Sequence, residues 1–463
     1  MTQYDLIIVG AGQTASPLSR GAAKKGWRVA VVEENHAGGT CVNVGCTPTK
    51  TLVAGARVIH NARTSGEWGA QSTSFSFDWT VMRRRRDALV GQFRRASHRG
   101  YEQTKGIDFL QERAQFIDPH LLKLMDSGQT ITAPRIVLDV GGAPVIPNIP
   151  GLHNIPYSDS SGIQVLDDLP PHLLVLGGGY IGLEFAQIFR RMGSSVTVVH
   201  RGKHILSRED EDVALSLTEA LESEGITILT GTQPKEFLPQ DRGFRLNLVN
   251  EEGMDLSPVE AHHVLCAVGR APQVENLGLE NTGVERDSSG SIHVDGALST
   301  TTEGIWAVGD CKGGPAFTHI AYDDYRVLRD LWDLPGAGER TGIHGRPVPY
   351  TVFTDPQLGR IGLSEKQALQ SQIPYHLYMM PYSRVARAME AGETAGLLKV
   401  LVSPRDDHLL GAAIVGMEGG EVATMLQLAM AGGLCASDLQ DMVFAHPGLA
   451  ESFNNLFTYG KRS

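Results

Sequence analysis

The sequence predicts an α/β chain: two units built on parallel sheets, then a C-terminal segment of α+β type. Three observations carry this expectation. A strand, glycine turn and helix pattern occurs twice at matching internal spacing. The apolar runs feeding both turns read as buried strands. Past about Gly342 the pattern changes to strands in succession, VPYTVF, GLLKVLV and LLGAAIVG, followed by apolar-periodic helices.

The first copy opens the chain, where YDLIIVG leads into GAGQTA, giving Gly10-x-Gly12-x-x-Ala15. Strand, tight turn and helix in that order aim backbone N–H groups and a helix N-terminus at a pyrophosphate. The second copy is HLLVLGGGYIG, giving Gly177-x-Gly179-x-x-Gly182 with Tyr180 and Ile181 inside it. One match alone is weak evidence. Both copies, however, are followed by a second apolar strand ending 23 residues after the first glycine, at Glu33 in WRVAVVE and at His200 in SSVTVVH, and they lie 167 residues apart. Equal spacing in two places indicates two Rossmann-type units.

The two strand ends differ in charge. Glu33 can accept from the hydroxyls of an unmodified ribose, whereas His200 is followed by Arg201, Lys203 and Arg208. A carboxylate would repel a 2′-phosphate and a basic set would bind it, so the second unit is expected to take NADPH. DVGGAP, with Gly141, and CAVGRAP, with Gly269, each close an apolar strand and read as the exits from the two units. TTEGIWAVGD ends a further strand at Asp310, a carboxylate placed to bind a polyol chain.

Composition narrows the function. The chain of 463 residues is long enough for several domains, 41% hydrophobic, and carries a net charge of −11, which argues against nucleic acid or an anionic membrane as partner. The arginine-rich MRRRRDALVGQFRRASHRG, Met82–Gly100, reads as the solvated face of a long helix. With neither a signal peptide nor a membrane span at the N-terminus, and five cysteines, a cytoplasmic, reducing location is expected.

Two of those cysteines, Cys41 and Cys46, lie in GGTCVNVGCTPTK behind Gly39 and Thr40. In a regular helix residues five apart are separated by about 7.5 Å along the axis, too far for a bridge, which needs Cα atoms within about 7 Å. Pairing them requires a distorted segment, which Gly45 permits. Two unrelated buried thiols remain an alternative. A zinc site would need a second pair downstream, and none is present, so no metal ligands are assigned. Lys50 follows Cys46 by four residues, hence on the same helical face. FAHPGLAESFNNLF places Pro447 at the expected start of a helix, with His446 displayed before it and Glu451 a turn on. Cys266, in a strand, and Cys435, on an apolar helix, read as core thiols. Cys311 has no assigned role, and His262 and His263 read as strand residues.

These segments together resemble the class I pyridine nucleotide-disulfide oxidoreductases, the family of glutathione reductase, dihydrolipoamide dehydrogenase and mercuric reductase, from Tyr4 to Phe457. CTPTKTLV and FTHIAYDDYR are similar to the mercuric-reductase-like branch that includes a copper reductase of reactive-chlorine resistance. DVGG departs from the Ala-Thr-Gly run of many relatives, and no cysteine follows Cys435 to form the C-terminal pair of typical mercuric reductases. The resemblance implies an FAD domain at 1–150, an NAD(P)H domain at 151–272, a return to the FAD domain at 273–341 and a dimerisation domain at 342–463. It implies FAD on Gly10, Gly12, Ala15, Glu33, Gly39, Thr40, Lys50, Ala114, Gly141 and Asp310. It implies NADPH on Gly177, Gly179, Tyr180, Ile181, Gly182, Glu184, His200, Arg201 and Gly269, with Tyr180 gating the flavin.

The same resemblance implies a redox-active Cys41–Cys46 disulfide, Cys46 facing the flavin and Cys41 attacking substrate. Lys50 would pair with Glu184, and His446 with Glu451 would reach the other subunit's disulfide in a homodimer. The expected function is NADPH-dependent reduction of a small disulfide or a thiophilic metal ion. The alternatives are a mercuric or copper reductase proper, an NAD-linked enzyme like dihydrolipoamide dehydrogenase, a transhydrogenase or oxidase, and a flavin-bound redox sensor.

Overall fold

The computed structural model describes residues 1–70 and 75–462. The chain forms two compact units. The first comprises 1–51, 80–145 and 269–346. Its centre is a five-stranded parallel sheet in the order Ile305–Ala307, Ile136–Leu138, Leu6–Val9, Val29–Val32, Ile107–Leu110. The register sets Ile7 beside both Ala30 and Ile136. Side chains alternate across a strand, so Leu6 and Ile8 face one layer and Ile7 and Val9 the other, and all four are buried. On one face lie helix α1 (Ala15–Lys24) and the helix Thr318–Leu331, through Leu18, Ala22, Val327 and Leu328. On the other lies a small sheet containing Ala114–Asp118 and Leu121–Leu124, through Phe116, Leu122 and Leu124. Burial on both faces is why these strands are unbroken apolar runs.

Two helices follow the second strand of this sheet: α2 (Gly39–Asn43) and α3 (Cys46–Thr64). The arginine-rich run belongs to α4 (Trp79–Glu102). It is not uniformly solvated, as the sequence led us to expect: Arg84 and Arg85 are exposed, but Arg86 is buried and paired with Asp87. An unbroken row of four spans more than a full turn of helix, so one member must face inward.

The second unit comprises 52–79, 146–268 and 347–463. It repeats the parallel pattern in Tyr157–Ser158, His263–Cys266, His172–Leu176, Ser195–Val199 and Thr227–Leu229, with α5 (Tyr180–Met192) following the glycine turn. A five-stranded antiparallel sheet, Tyr350–Val352, Gln357–Gly362, Leu409–Gly416, Leu397–Val402, His376–Pro381, accounts for the α+β character of the C-terminal segment. Lys399 in that sheet is 1% exposed and is neutralised by Asp210, Asp212 and Glu365 at 2.6–3.2 Å. No helix among the described residues is long and apolar enough to cross a membrane.

Candidate active site

In the first unit the glycine turn packs on the strand beside it. Gly10 has φ +97°, and a Cβ there would lie 2.2 Å from the Asp139 carbonyl oxygen, so the turn admits only glycine. A Cβ on Gly12 would meet the Asp139 carboxyl at 2.8 Å, and one on Gly39 would lie 2.9 Å from the Gly12 Cα. The N-terminus of α2 therefore closes onto the loop that precedes α1. Ala11 N–H donates to Glu33 Oε2 at 2.7 Å and Asn35 N–H to Oε1 at 2.8 Å, while burial raises the Glu33 pKa. The N–H groups of Gly12, Gln13 and Thr14 have no protein acceptor among the described residues. Unengaged donors at a helix start, with no side chains in the way, fit the pyrophosphate of a dinucleotide.

Asp139 is the carboxyl beneath this loop. It is buried, its Oδ2 accepts the Ala15 N–H at 3.1 Å, and burial raises its pKa well above the usual carboxyl range. Gly141 follows at φ +68°. Asp310 lies 3.8 Å from Arg270; burial raises its pKa and the guanidinium opposes that shift. Ala114 is buried at the start of its strand.

The second unit repeats the turn with one substitution of chemistry. Gly177 has φ +111°, and its Cβ would lie 2.4 Å from the Ala267 carbonyl oxygen. Gly178 N–H donates to His200 Nδ1 at 3.2 Å, the counterpart of the Ala11–Glu33 bond. Because Nδ1 accepts, the ring proton is assigned to Nε2 and the imidazole is neutral. Burial, with the Arg201 charge, lowers the His200 pKa in keeping with that form. A neutral lone pair thus does at the second loop's strand end what a carboxylate does in the first, and Arg201, Lys203 and Arg208 downstream are exposed. A Cβ on Gly179 would meet nothing within 4 Å, and its N–H has no protein acceptor among the described residues. Gly182 seats α5 on the turn, since its Cβ would fall 2.2 Å from the Gly177 carbonyl oxygen. Tyr180 opens α5 half-buried, with Ile181 next to it. Gly269 belongs to the first unit, where its carbonyl accepts the Val145 N–H at 3.0 Å.

The sulfurs meet because the helix is interrupted. Asn43 ends α2, Cys46 begins α3, and a Cβ on Gly45 would lie 2.8 Å from the Thr40 carbonyl oxygen. Across this break Cys41 and Cys46 are free thiols, Cys41 hydrogen-bonded to Cys46; that bond and burial raise the Cys41 pKa. Three neighbours escaped the sequence reading. Thr318 Oγ1 lies 3.3 Å from Cys46 Sγ, although 272 residues separate them. Asn43 Nδ2 donates to the carbonyls of His36, Ala37 and Gly39 at 2.9–3.3 Å, clamping α2, and Arg94 Nε donates to Asn43 Oδ1 at 2.8 Å. Lys50 is half-buried in α3.

In the second unit Glu184 is buried in α5, and its Oε1 accepts the Phe353 N–H at 2.9 Å. His446 Nδ1 is 2.9 Å from a Glu451 carboxylate oxygen, and the imidazole is 70% exposed, so Nε2 is presented outward. Two expectations here are corrected. Pro447 does not open the helix: the His446–Pro447 bond is cis, and the helix runs from Ser452 to Tyr459 with Glu451 as its N-cap. His446 and Pro447 lie in a bend instead, and the carboxylate at the helix start holds the ring. Cys435 is not a core thiol on a helix. It is the N-cap of Ala436–Asp441, half-exposed, with its sulfur 3.5 Å from the Asp406 carbonyl oxygen. Cys266 and Cys311 are buried, and His263 lies in its strand, bonded to Ser158. Among the described residues no cluster of three or more His, Cys, Asp or Glu could hold a metal ion.

Two dinucleotide turns and a cysteine pair across a broken helix define an oxidoreductase of the pyridine nucleotide-disulphide oxidoreductase family, and the chain belongs to it. The family model matches residues 4–324, and the model of the family's dimerisation domain matches 348–457. The chain is 35% identical over 466 residues to the probable pyridine nucleotide-disulfide oxidoreductase RclA of Escherichia coli, covering 100% of both. It is also 35% identical over 442 residues to mercuric reductase of Streptomyces lividans, covering 95% of this chain and 92% of that one. A solved structure, the Cu(II) complex of the HOCl-induced flavoprotein disulfide reductase RclA from Escherichia coli, matches with a TM-score of 0.88 at 34% identity, covering 99% of each chain.

Proposed function

We propose that the chain is an FAD-dependent, NADPH-using reductase whose Cys41–Cys46 pair passes electrons to a small disulfide. The observation that carries this reading is the contact between Cys41 and Cys46 across the helix break, on the segment that closes onto the first dinucleotide turn. The donors of Gly12, Gln13 and Thr14 would hold the FAD pyrophosphate, and Glu33 its ribose. The loop at Gly179 with Arg201 would hold NADPH. Bound FAD would supply the two-electron relay between nicotinamide and the cysteine pair.

The chain's own residues account for the rest. Cys41 gives its proton to Nε2 of His446 of the partner subunit, and its thiolate attacks one sulfur of the acceptor disulfide, forming a mixed disulfide and expelling the other sulfur as a thiolate. His446 of the partner subunit, its Nδ1 held by Glu451, protonates that thiolate through Nε2. Cys46 then attacks the Cys41 sulfur, restoring the Cys41–Cys46 bond, and the proton that Cys46 loses goes to the second half of the acceptor, which leaves as a thiol. The acceptor gains two electrons and two protons. Thr318 Oγ1, 3.3 Å from Cys46 Sγ, can donate to a Cys46 thiolate and stabilise its charge. This sequence needs a homodimer, and the match to a dimerisation domain supports one.

A second reading, reduction of a thiophilic metal ion, is favoured by the similarity to a protein solved as a Cu(II) complex. Soft ions suit a thiolate pair, and their reduction needs no acid. The test is NADPH oxidation by wild type and His446→Ala with small disulfides and with Cu(II) or Hg(II). A loss of about 100-fold or more on disulfides, the scale of general acid–base catalysis, supports the first reading. No disulfide turnover by wild type, with metal-ion reduction indifferent to His446, overturns it.

A further inference from the structure

The arginine-rich helix has a second part that the proposed reaction does not use. Arg94, Arg95 and Arg99 of α4 line a cavity of about 320 Å³, together with His36, His98 and Phe109. No carboxylate lines it. None of the residues assigned above to FAD or NADPH lines it either. Arg94 is oriented by its bond to Asn43. His98 has Glu102 at 3.4 Å. Arg95 and Arg99 make no ion pair among the described residues and are exposed. Three arginines around one concavity whose lining holds no carboxylate concentrate positive charge there, in a chain of net charge −11. Burial lowers the His36 pKa and the Arg94 charge lowers it further. The volume is at the lower end of the range for small-molecule sites, and the Phe109 ring supplies an apolar wall.

We propose that this cavity is a binding site for a small multivalent anion bearing phosphate or carboxylate groups, gripped by Arg95 and Arg99 with Arg94 as a fixed third donor. Guanidinium forks match both oxyanions in planar, bidentate fashion. The site adjoins the redox segment: Arg94 touches the occupant on one side and, through Asn43, the clamp on α2 on the other.

The test is isothermal titration of the flavin-loaded enzyme, at low ionic strength, with inorganic pyrophosphate and separately with citrate. One saturable event per chain is expected with at least one probe, the responding probe telling phosphate from carboxylate chemistry. Arg95→Gln with Arg99→Gln should weaken it at least tenfold at unchanged flavin content, whereas Arg201→Ala should leave it intact. Should the double variant fail to fold, Arg99→Gln alone makes the same comparison. Absence of saturable binding by both probes overturns the proposal. So does binding lost in Arg201→Ala but kept in the double variant, or pyrophosphate that displaces the flavin.

Discussion

Replacing Asp139 with asparagine should make the protein more stable than wild type in alkaline buffer and not in acid. The carboxyl is buried beneath the first glycine turn, and its folded pKa lies well above the ordinary aspartate value of 3.8. Its contribution to stability is therefore fully present below the unfolded pKa and is lost as pH rises through the folded one. Each unit of the shift corresponds to ~1.4 kcal/mol once the group is ionised. Asparagine cannot ionise, and it keeps an oxygen for the Ala15 N–H now bonded at 3.1 Å. With roughly 2–4 °C in Tm per kcal/mol for units of this size, the variant should gain several degrees on wild type between about pH 5 and pH 9. Asp139→Ala provides the control: it leaves the Ala15 N–H without an acceptor, costing about 1–3 kcal/mol, and should melt below the asparagine variant throughout. Calorimetric melts across that range decide the matter. A Tm difference between wild type and Asp139→Asn that does not change with pH would refute buried ionisation as the cause.

Arg201→Ala should reduce kcat/KM for NADPH about ten- to hundredfold with little effect on NADH, the scale of one charge-assisted contact. His200→Glu, which restores to the second loop the carboxylate of the first, should shift preference toward NADH; equal effects of either change on both nucleotides would count against the assignment. Lys399→Ala strips the counter-charge from Asp210, Asp212 and Glu365 inside the second unit and should cost about 3–5 kcal/mol, read as a lower denaturation midpoint.

The parts of this molecule written in local spacing were legible before the fold was known. The two turns could be read because a strand, a positive-φ glycine and a helix start must follow one another directly, whereas at Cys41 and Cys46 the spacing with Gly45 permitted a pair without requiring it, and only the family resemblance implied one. What escaped depends on distant packing. Thr318 reaches Cys46 only because the parallel sheet brings the helix Thr318–Leu331 back beside α1, and nothing near residue 46 encodes that. Asp139 reads as an ordinary strand-end carboxylate; its burial under Gly12 requires the neighbouring strand. At Pro447 the local rule itself misled, because a proline suited to a helix's first position is equally suited to a bend, and Glu451 rather than Pro447 marks the helix start. Cys435 and Arg86 were misjudged for the related reason that apolar or charged neighbours in sequence do not say which way one side chain of a helix end or row will point.

The account stands on electrons passing through Cys41 and Cys46, and thiol labelling before and after NADPH tests this most directly. The air-oxidised, flavin-loaded protein, treated with iodoacetamide and mapped by mass spectrometry, should show both cysteines protected, and a stoichiometric amount of NADPH should expose both to alkylation. Cys266 and Cys311, buried in the two units, should remain unlabelled in each state. Labelling at Cys41 and Cys46 that is the same with and without NADPH, while the nucleotide is consumed, would contradict the account.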